Sequence, residues 1–129
     1  MVEELFVWPG TLCVGSDSHS NMYGAIGSLG LAVVRTDAAA IWATGTSWLQ
    51  VPPVVKLTLT GRLPRGVTGK DVILALCGLF PTDVLNCAVE IVGSEETMAS
   101  LSVDDRLTIS NMSTVGVYCP CESTQANID

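Results

Sequence analysis

The stretch Thr11–Gly24, which reads TLCVGSDSHSNMYG, decides how the rest of the chain is interpreted. Its opening apolar run predicts a β-strand, and a polar turn containing Asp17, Ser18 and His19 follows directly. Open α/β sheets present reactive side chains at the carboxyl ends of their strands. We therefore expect a crevice at this point, lined by these three side chains, with the only histidine of the chain among them.

The three polar residues cannot act together as a nucleophilic triad. That geometry needs the base to approach the hydroxyl from another element, with a third group orienting the base. A turn in which Asp17 or Ser18 caps a following helix is the alternative interpretation. Beyond the turn, the glycine-spaced segment Tyr23–Val33 predicts the start of a helix and close backbone packing.

The remaining elements alternate between strand and helix patterns. Apolar content comes mainly from Val, Leu, Ala and Ile, and aromatic residues make up only 5% of the chain, which favours a buried parallel sheet. The sequence therefore predicts an α/β fold with a largely parallel sheet flanked by helices. The predicted elements are a helix over 37–44, a strand over 54–60, a helix over 70–79 capped by Thr68, a strand over 85–92, and a helix over 104–112 capped by Ser102 or Asp104.

Charge and hydropathy exclude several classes of partner. Thirteen acidic and six basic residues give a net charge of −7, and so acidic a chain is a poor partner for nucleic acid, where phosphate contacts supply most of the affinity. A tricarboxylate ligand would also need arginines from elsewhere. The longest apolar run, 25–34, is too short to span a membrane, and the acidic Met1–Leu5 is unlike a targeting signal. We expect an intracellular, soluble chain.

Five cysteines in a chain without a secretory signal are expected to be reduced. Cys13, Cys77 and Cys87 lie in apolar runs and are predicted to be small buried residues. Cys119 and Cys121 lie in a polar tail, where they could oxidise, bind a metal, or form a metal site between two subunits. Because no second Cys/His pair accompanies them, no metal site is predicted for this chain. Trp42 and Trp48 are predicted to be packing residues.

Two more polar residues stand out. Glu90 lies within the apolar run 87–93, where a carboxylate faces either solvent or a polar site, because an unpaired buried charge is costly. The residues alone favour the solvent face. Asn111 is either a site residue or a packing or capping residue.

The run Pro9–Gly24 resembles the aconitase superfamily, whose members carry a Gly-x-Asp-Ser-His signature in the active site. The blocks 34–45, 51–56 and 66–80 follow in that family's order, and 106–112 is similar to its Arg-x-Thr-Ile-x-Asn-Met block. The residues in these blocks are most similar to those of fungal members of the family. The resemblance implies a partial α/β/α domain over residues 1–118, cut from a longer enzyme, followed by a polar tail over 119–129.

The resemblance also implies a function. It points to a hydro-lyase acting on a small polycarboxylic acid, with His19 and Glu90 as a catalytic pair and with Asp17, Ser18 and Asn111 binding the substrate. The family holds a [4Fe-4S] cluster on three cysteines downstream of the matched region. No cysteine of this chain is at a matching position, so we expect no cluster here.

The chain departs from the family pattern after Met112, where a glutamate and a Gly-Ala pair are expected but Val115-Gly116 follows almost at once. Two classes of function stay open. The chain is either a hydro-lyase domain, with a cluster-free acid–base dehydratase or isomerase as a variant, or a non-catalytic relic or interaction module. Its expected partners are a small carboxylic acid and a second copy or partner chain that covers apolar surface.

Overall fold

The computed structural model describes residues 1–80, 84 and 87–113 of the 129-residue chain. In this part of the chain no helix has the length and apolar character needed to cross a membrane. The elements in chain order are β1 (Leu12–Gly15), a 3-10 helix (Ser20–Ile26), β2 (Leu29–Ala32), α1 (Arg35–Thr44), β3 (Val54–Leu59), α2 (Gly69–Leu79), β4 (Ala88–Gly93), α3 (Glu95–Ser100) and α4 (Val103–Met112).

The strands pair in parallel and form two small sheets. In the first sheet Leu12 of β1 lies opposite Leu29 of β2, and the 3-10 helix connects the two strands. In the second sheet Val54 of β3 lies opposite Ala88 of β4, and α2 lies between them in the chain. The predicted α/β class with parallel strands and flanking helices is confirmed, although the described strands form two sheets rather than one.

The apolar core lies between the second sheet and the helices of the C-terminal half. Along β3 the side chains alternate between exposed and half-buried, as the sequence predicts for a strand with one covered face. The inner face of the sheet and the helices share one cluster of buried residues, namely Ile73, Val84, Val89, Ile91, Met98, Leu101 and Ile109.

The N-termini of α2 and α4 are both capped, and one carboxylate links them. The Asp71 carboxylate accepts hydrogen bonds from the backbone N–H and the hydroxyl of Thr68, at 2.8 and 2.9 Å, which confirms the predicted start of α2. Asp105 accepts from the Ser102 hydroxyl at 2.6 Å and from the Gly69 N–H at 2.7 Å. Asp105 therefore caps its own helix α4 and joins it to the start of α2.

These hydrogen bonds also set the titration of the two carboxyl groups. The bonds from Thr68 lower the pKa of Asp71, the backbone N–H contributing most. The Ser102 hydroxyl is the main cause of the lowered pKa of Asp105, and the Gly69 N–H adds to it. Both effects have the sign expected when hydrogen bonds favour the ionised form.

The prediction for the segment Tyr23–Val33 was wrong in its second half. The segment begins inside the 3-10 helix, but Gly27, with φ of 77°, ends that helix and the chain continues as β2. A four-residue strand with a glycine inside it gives almost no periodic signal, which is why the sequence did not reveal it. The six-residue helix α3 was also not predicted, and β4 starts three residues later than expected.

Two burial predictions need correction as well. Trp42 and Trp48 are 89% and 80% exposed, so they do not pack within the described residues. Cys13, Cys77 and Cys87 are half-buried rather than fully buried, and partial burial raises the pKa of Cys13. Cys119, Cys121 and the predicted tail lie outside the described residues.

Candidate functional site

The predicted site loop lies where expected, at the carboxyl end of β1. Asp17 accepts a hydrogen bond from the backbone N–H of His19 at 2.7 Å through Oδ1, so the carboxylate folds over its own loop. The Asp17 side chain is nevertheless 78% exposed and that of His19 is 44% exposed. The loop therefore holds a defined conformation while its polar groups stay accessible to a ligand.

The ring of His19 is oriented through one nitrogen. Ser18 Oγ lies 2.9 Å from Nδ1, and Asp17 Oδ1 lies 3.9 Å from the same atom. In the described part of the chain no hydrogen bond to Nε2 is formed. If Nδ1 donates to Ser18, Nε2 is a proton acceptor; if Nδ1 accepts, Nε2 carries the proton. Either way, the arrangement leaves one nitrogen open for proton transfer.

Ser20 follows the loop directly and packs the loop against the first sheet. Its hydroxyl and its backbone N–H both donate to the Asp17 carbonyl, at 2.7 and 3.1 Å, and the residue is 3% exposed. Gly15 and Gly30 face it from β1 and β2. A Cβ at Gly30 would overlap the Ser20 carbonyl oxygen, and a Cβ at Gly15 would overlap its Oγ. Gly30 is one of the glycines predicted to allow close packing and does so here, and Gly15, for which no such role was predicted, does the same.

Asn21 ties the 3-10 helix to α4. Its side-chain Nδ2 donates to the Ser110 carbonyl at 2.5 Å and to Ser113 Oγ at 2.9 Å, and the Ser110 hydroxyl donates back to the Asn21 carbonyl at 2.7 Å. All three residues are buried. The sequence reasoning assigned no role to Asn21. Asn21 lies two residues after His19, beside a segment typical of close packing. A polar residue at this position is the signal that could have identified it.

Asn111 lies at the same interface, whereas Glu90 is on β4 of the second sheet. The Asn111 carbonyl lies 3.5 Å from Asn21 Nδ2, so this part of α4 adjoins the segment that follows the loop. Glu90 is half-buried on β4 and lies opposite Lys56 of β3. The ion pairs formed within the described residues are His19–Asp17 and Arg62–Glu96. The pairing of Glu90 with His19 stays a prediction.

The ligands for a metal cluster are not assembled in the described residues. Among residues 1–80, 84 and 87–113, no three His, Cys, Asp or Glu side chains come together in a way that could hold a metal ion. Cys13 is on β1, Cys77 is on α2 and Cys87 precedes β4, so these thiols belong to three different elements. These residues do not fit a [4Fe-4S] cluster, because cysteine thiolates must be brought together in space to hold its irons.

A cavity of about 250 Å³ lies apart from the loop, between the second sheet and the helices α2 and α4. None of Asp17, Ser18 and His19 lines it, and its walls are mainly members of the apolar core. The polar loop, not this cavity, is therefore the candidate site.

Comparison with known sequences agrees with the resemblance. The sequence model of the aconitase family (aconitate hydratase) matches residues 1–117. The chain belongs to the aconitase family. Mitochondrial homoaconitase of Emericella nidulans is 70% identical over 115 residues, which is 88% of this chain and 15% of the relative. The homoaconitase of Chaetomium globosum is 62% identical over 130 residues, covering 96% of this chain and 16% of the relative.

This member of the aconitase family thus spans about 15% of the length of the curated relatives it matches. Homoaconitase of Mycosarcoma maydis, also named mitochondrial, is 63% identical over 115 residues. The fungal branch expected from the ordered blocks is confirmed. The matched region includes the Asp17-Ser18-His19 loop and Asn111.

Proposed function

We propose that the chain supplies the substrate-facing loop of a homoaconitase-type hydro-lyase, which acts on a small polycarboxylic acid such as homoaconitate. The supporting observation is the ordered loop of Asp17, Ser18 and His19 at the carboxyl end of β1, in a chain about 70% identical to fungal homoaconitases. A hydro-lyase of this type would serve lysine biosynthesis, and the names of the relatives suggest a mitochondrial location.

The chemistry we assign to the chain is proton handling at His19. Dehydration of a hydroxy acid removes a proton from a carbon next to a carboxylate and releases the neighbouring hydroxyl as water. With Nδ1 held by Ser18, the open Nε2 can take up or deliver a proton at the substrate hydroxyl. In this proposal Asp17 and Ser18 orient that hydroxyl, and Asn111, whose carbonyl lies 3.5 Å from Asn21 Nδ2, is a further substrate contact.

In the family a [4Fe-4S] cluster binds the substrate hydroxyl, but the described residues do not provide its ligands. A cluster-free form of this function is acid–base dehydration or isomerisation, in which one group must take the proton from carbon while His19 Nε2 delivers a proton to the departing hydroxyl. Glu90 is kept as a second acid–base group because of the resemblance alone, since in the structure it lies opposite Lys56.

Turnover tests this function directly. The protein is purified without oxygen, its iron and acid-labile sulfide are determined, and conversion of homocitrate and homoaconitate is followed by proton NMR. Conversion that is lost in His19→Ala and kept in Thr108→Ala supports the proposal, because Thr108 donates only to the Asp104 carbonyl on an exposed part of α4. Iron-free conversion would support the cluster-free form, whereas conversion unaffected by His19→Ala would contradict the assignment.

An interaction module is the second candidate, and exposed apolar surface favours it. Helix α1 has no buried residue, and Trp42 and Trp48 are both more than three-quarters exposed. Apolar surface of this kind marks contact with another chain. A second copy or a separate partner would cover it. Sedimentation of the parent chain and of the double variant Trp42→Ser, Trp48→Ser tests this. A concentration-dependent complex that is lost in the double variant is expected; a monomer at all concentrations contradicts self-association.

A further inference from the structure

The 3-10 helix that follows the site loop is fastened on two sides by different physical means. Toward the sheet it is in contact with Gly15 and Gly30, where close approach is possible only because both lack a side chain. Toward α4 it is held by buried hydrogen bonds of Asn21. The contact with the glycines restrains the loop by close steric packing. The hydrogen bonds of Asn21 make the position of the loop depend on the position of the C-terminal turn of α4.

We propose that Asn21 is a positioning residue that fixes the orientation of the His19 ring by tying the site loop to the C-terminal turn of α4. This inference rests on the proposed function, because it concerns the same loop. Asn21 is not assigned a contact with the substrate. It acts through the backbone that carries His19.

Short hydrogen-bonded steps connect Asn21 to the ring. The Met22 N–H donates to the His19 carbonyl at 3.0 Å, and the Ser20 N–H donates to the Asp17 carbonyl at 3.1 Å, so Asn21 lies between two turns that both include the loop. The Asn21 side chain then anchors these turns at Ser110 and Ser113. A shift of this anchor moves the backbone on which the Ser18–His19 contact depends.

The anchor is costly to lose because it is buried. Asn21 is 6% exposed, Ser113 is 2% exposed and Ser110 is fully buried. Removing the amide leaves the Ser113 hydroxyl without its donor and opens space beside the last turn of α4. Water cannot replace the amide freely at so enclosed a position, so the 3-10 helix would lose its fixed distance from α4.

Nuclear magnetic resonance of the intact chain tests the inference without any substrate. His19 is the only histidine, so its two ring nitrogens give one pair of ¹⁵N resonances. In Asn21→Ala we expect these resonances to move toward the averaged values of a ring without a fixed partner, at constant pH. Amide hydrogens of the 3-10 helix should exchange about tenfold faster, the change expected for one buried hydrogen bond.

Two further variants separate positioning from general destabilisation. Ser113→Ala removes one acceptor of the Asn21 amide, together with the Ser113 hydrogen bond to the Ser110 carbonyl, and keeps Asn21 and its bond to that carbonyl. We therefore expect a smaller movement of the same resonances in the same direction. Thr108→Ala removes a hydrogen bond on an exposed part of α4 and should leave them unchanged. Because no turnover is measured, failure of the proposed function would not alter these results.

Unchanged His19 resonances in folded Asn21→Ala would overturn the inference. If Asn21→Ala does not fold, Ser113→Ala decides: movement of the His19 resonances supports positioning, and resonances identical to those of the parent protein contradict it. Equal movement in Thr108→Ala would also contradict it, since any weakening of α4 would then have the same effect.

Discussion

The two halves of the described chain are stabilised in different ways. The second sheet and α2, α3 and α4 share an apolar core of seven buried residues. The first sheet and the 3-10 helix have few buried apolar side chains, and they are held instead by glycine contacts and by buried Ser and Asn hydrogen bonds that reach α4. The site loop belongs to the half that contains the first sheet, and buried hydrogen bonds link that half to the core through α4.

The largest expected effect is on the apolar half. Ile73→Ala removes a 2% exposed side chain of α2 and should lower the free energy of unfolding by about 3 kcal/mol. Leu74→Ala is the matched control, because Leu74 is the next residue of the same helix and is 52% exposed. Urea denaturation measures both. Equal losses would show that the core is not where the structure places it.

In the half that contains the first sheet, substitution of a closely packed glycine should destabilise the fold nearly as much. Gly30→Ala places a methyl group against the Ser20 carbonyl, and we expect a loss of about 2 kcal/mol together with shifted amide resonances at Asp17 and His19. Gly78→Ala serves as the control, since the space around Gly78 is open and alanine favours its helix. A Gly30→Ala protein with parental stability and loop resonances would show that the close contact does not position the loop.

The link between α2 and α4 should contribute less and should depend on pH. Asp105→Asn weakens the cap of α4 and the bond to Gly69, and we expect a loss of about 1 kcal/mol at neutral pH. The pKa of Asp105 is lowered in the folded chain from its ordinary 3.8. Its stabilisation is therefore fully present above that value and is lost as the pH falls through the lower, folded value.

Denaturation of the parent and of Asp105→Asn from pH 7 to pH 2 checks that sign. The difference between the two proteins should shrink as the solution is acidified below about pH 4. A difference that stays constant over the whole range would mean that ionised Asp105 does not stabilise the fold.

The smallest effect is expected at the exposed tryptophan of α1. Trp42 is 89% exposed, so Trp42→Ala should change the stability of the monomer by no more than about 0.5 kcal/mol. A larger loss that depends on protein concentration would indicate that an oligomer covers α1. A larger loss at every concentration would mean that Trp42 packs within the chain.

The sequence predicted the elements whose pattern is local. The alternation in β3 and the caps at Thr68 and Ser102 each give their signal within a few residues, and all three are confirmed. The site loop was predicted for the same reason. Its pattern, an apolar run followed by polar residues, lies within fourteen consecutive residues. Strand β2 was missed because it is short and contains Gly30, which packs against a segment ten residues earlier.

The interactions that hold the site depend on contacts between distant parts of the chain. Asn21 and Ser110 are 89 positions apart, and no local pattern marks either as a partner. The resemblance to the family did not supply this contact either, since it pointed to signature residues and to Glu90. Trp42 and Trp48 were expected to pack because large aromatic side chains usually do. In the described residues no surface covers them.

Mapping of the ligand on the ¹⁵N-labelled chain tests most directly whether the loop is a carboxylate site. Homocitrate is titrated while the amides of Asp17, Ser18 and His19 and the His19 ring are followed. We expect saturable shifts centred on these residues, and we expect Ser18→Ala to weaken them while Thr108→Ala leaves them unchanged. Shifts confined to basic residues outside the loop, or no saturable shift at all, would contradict the proposed site.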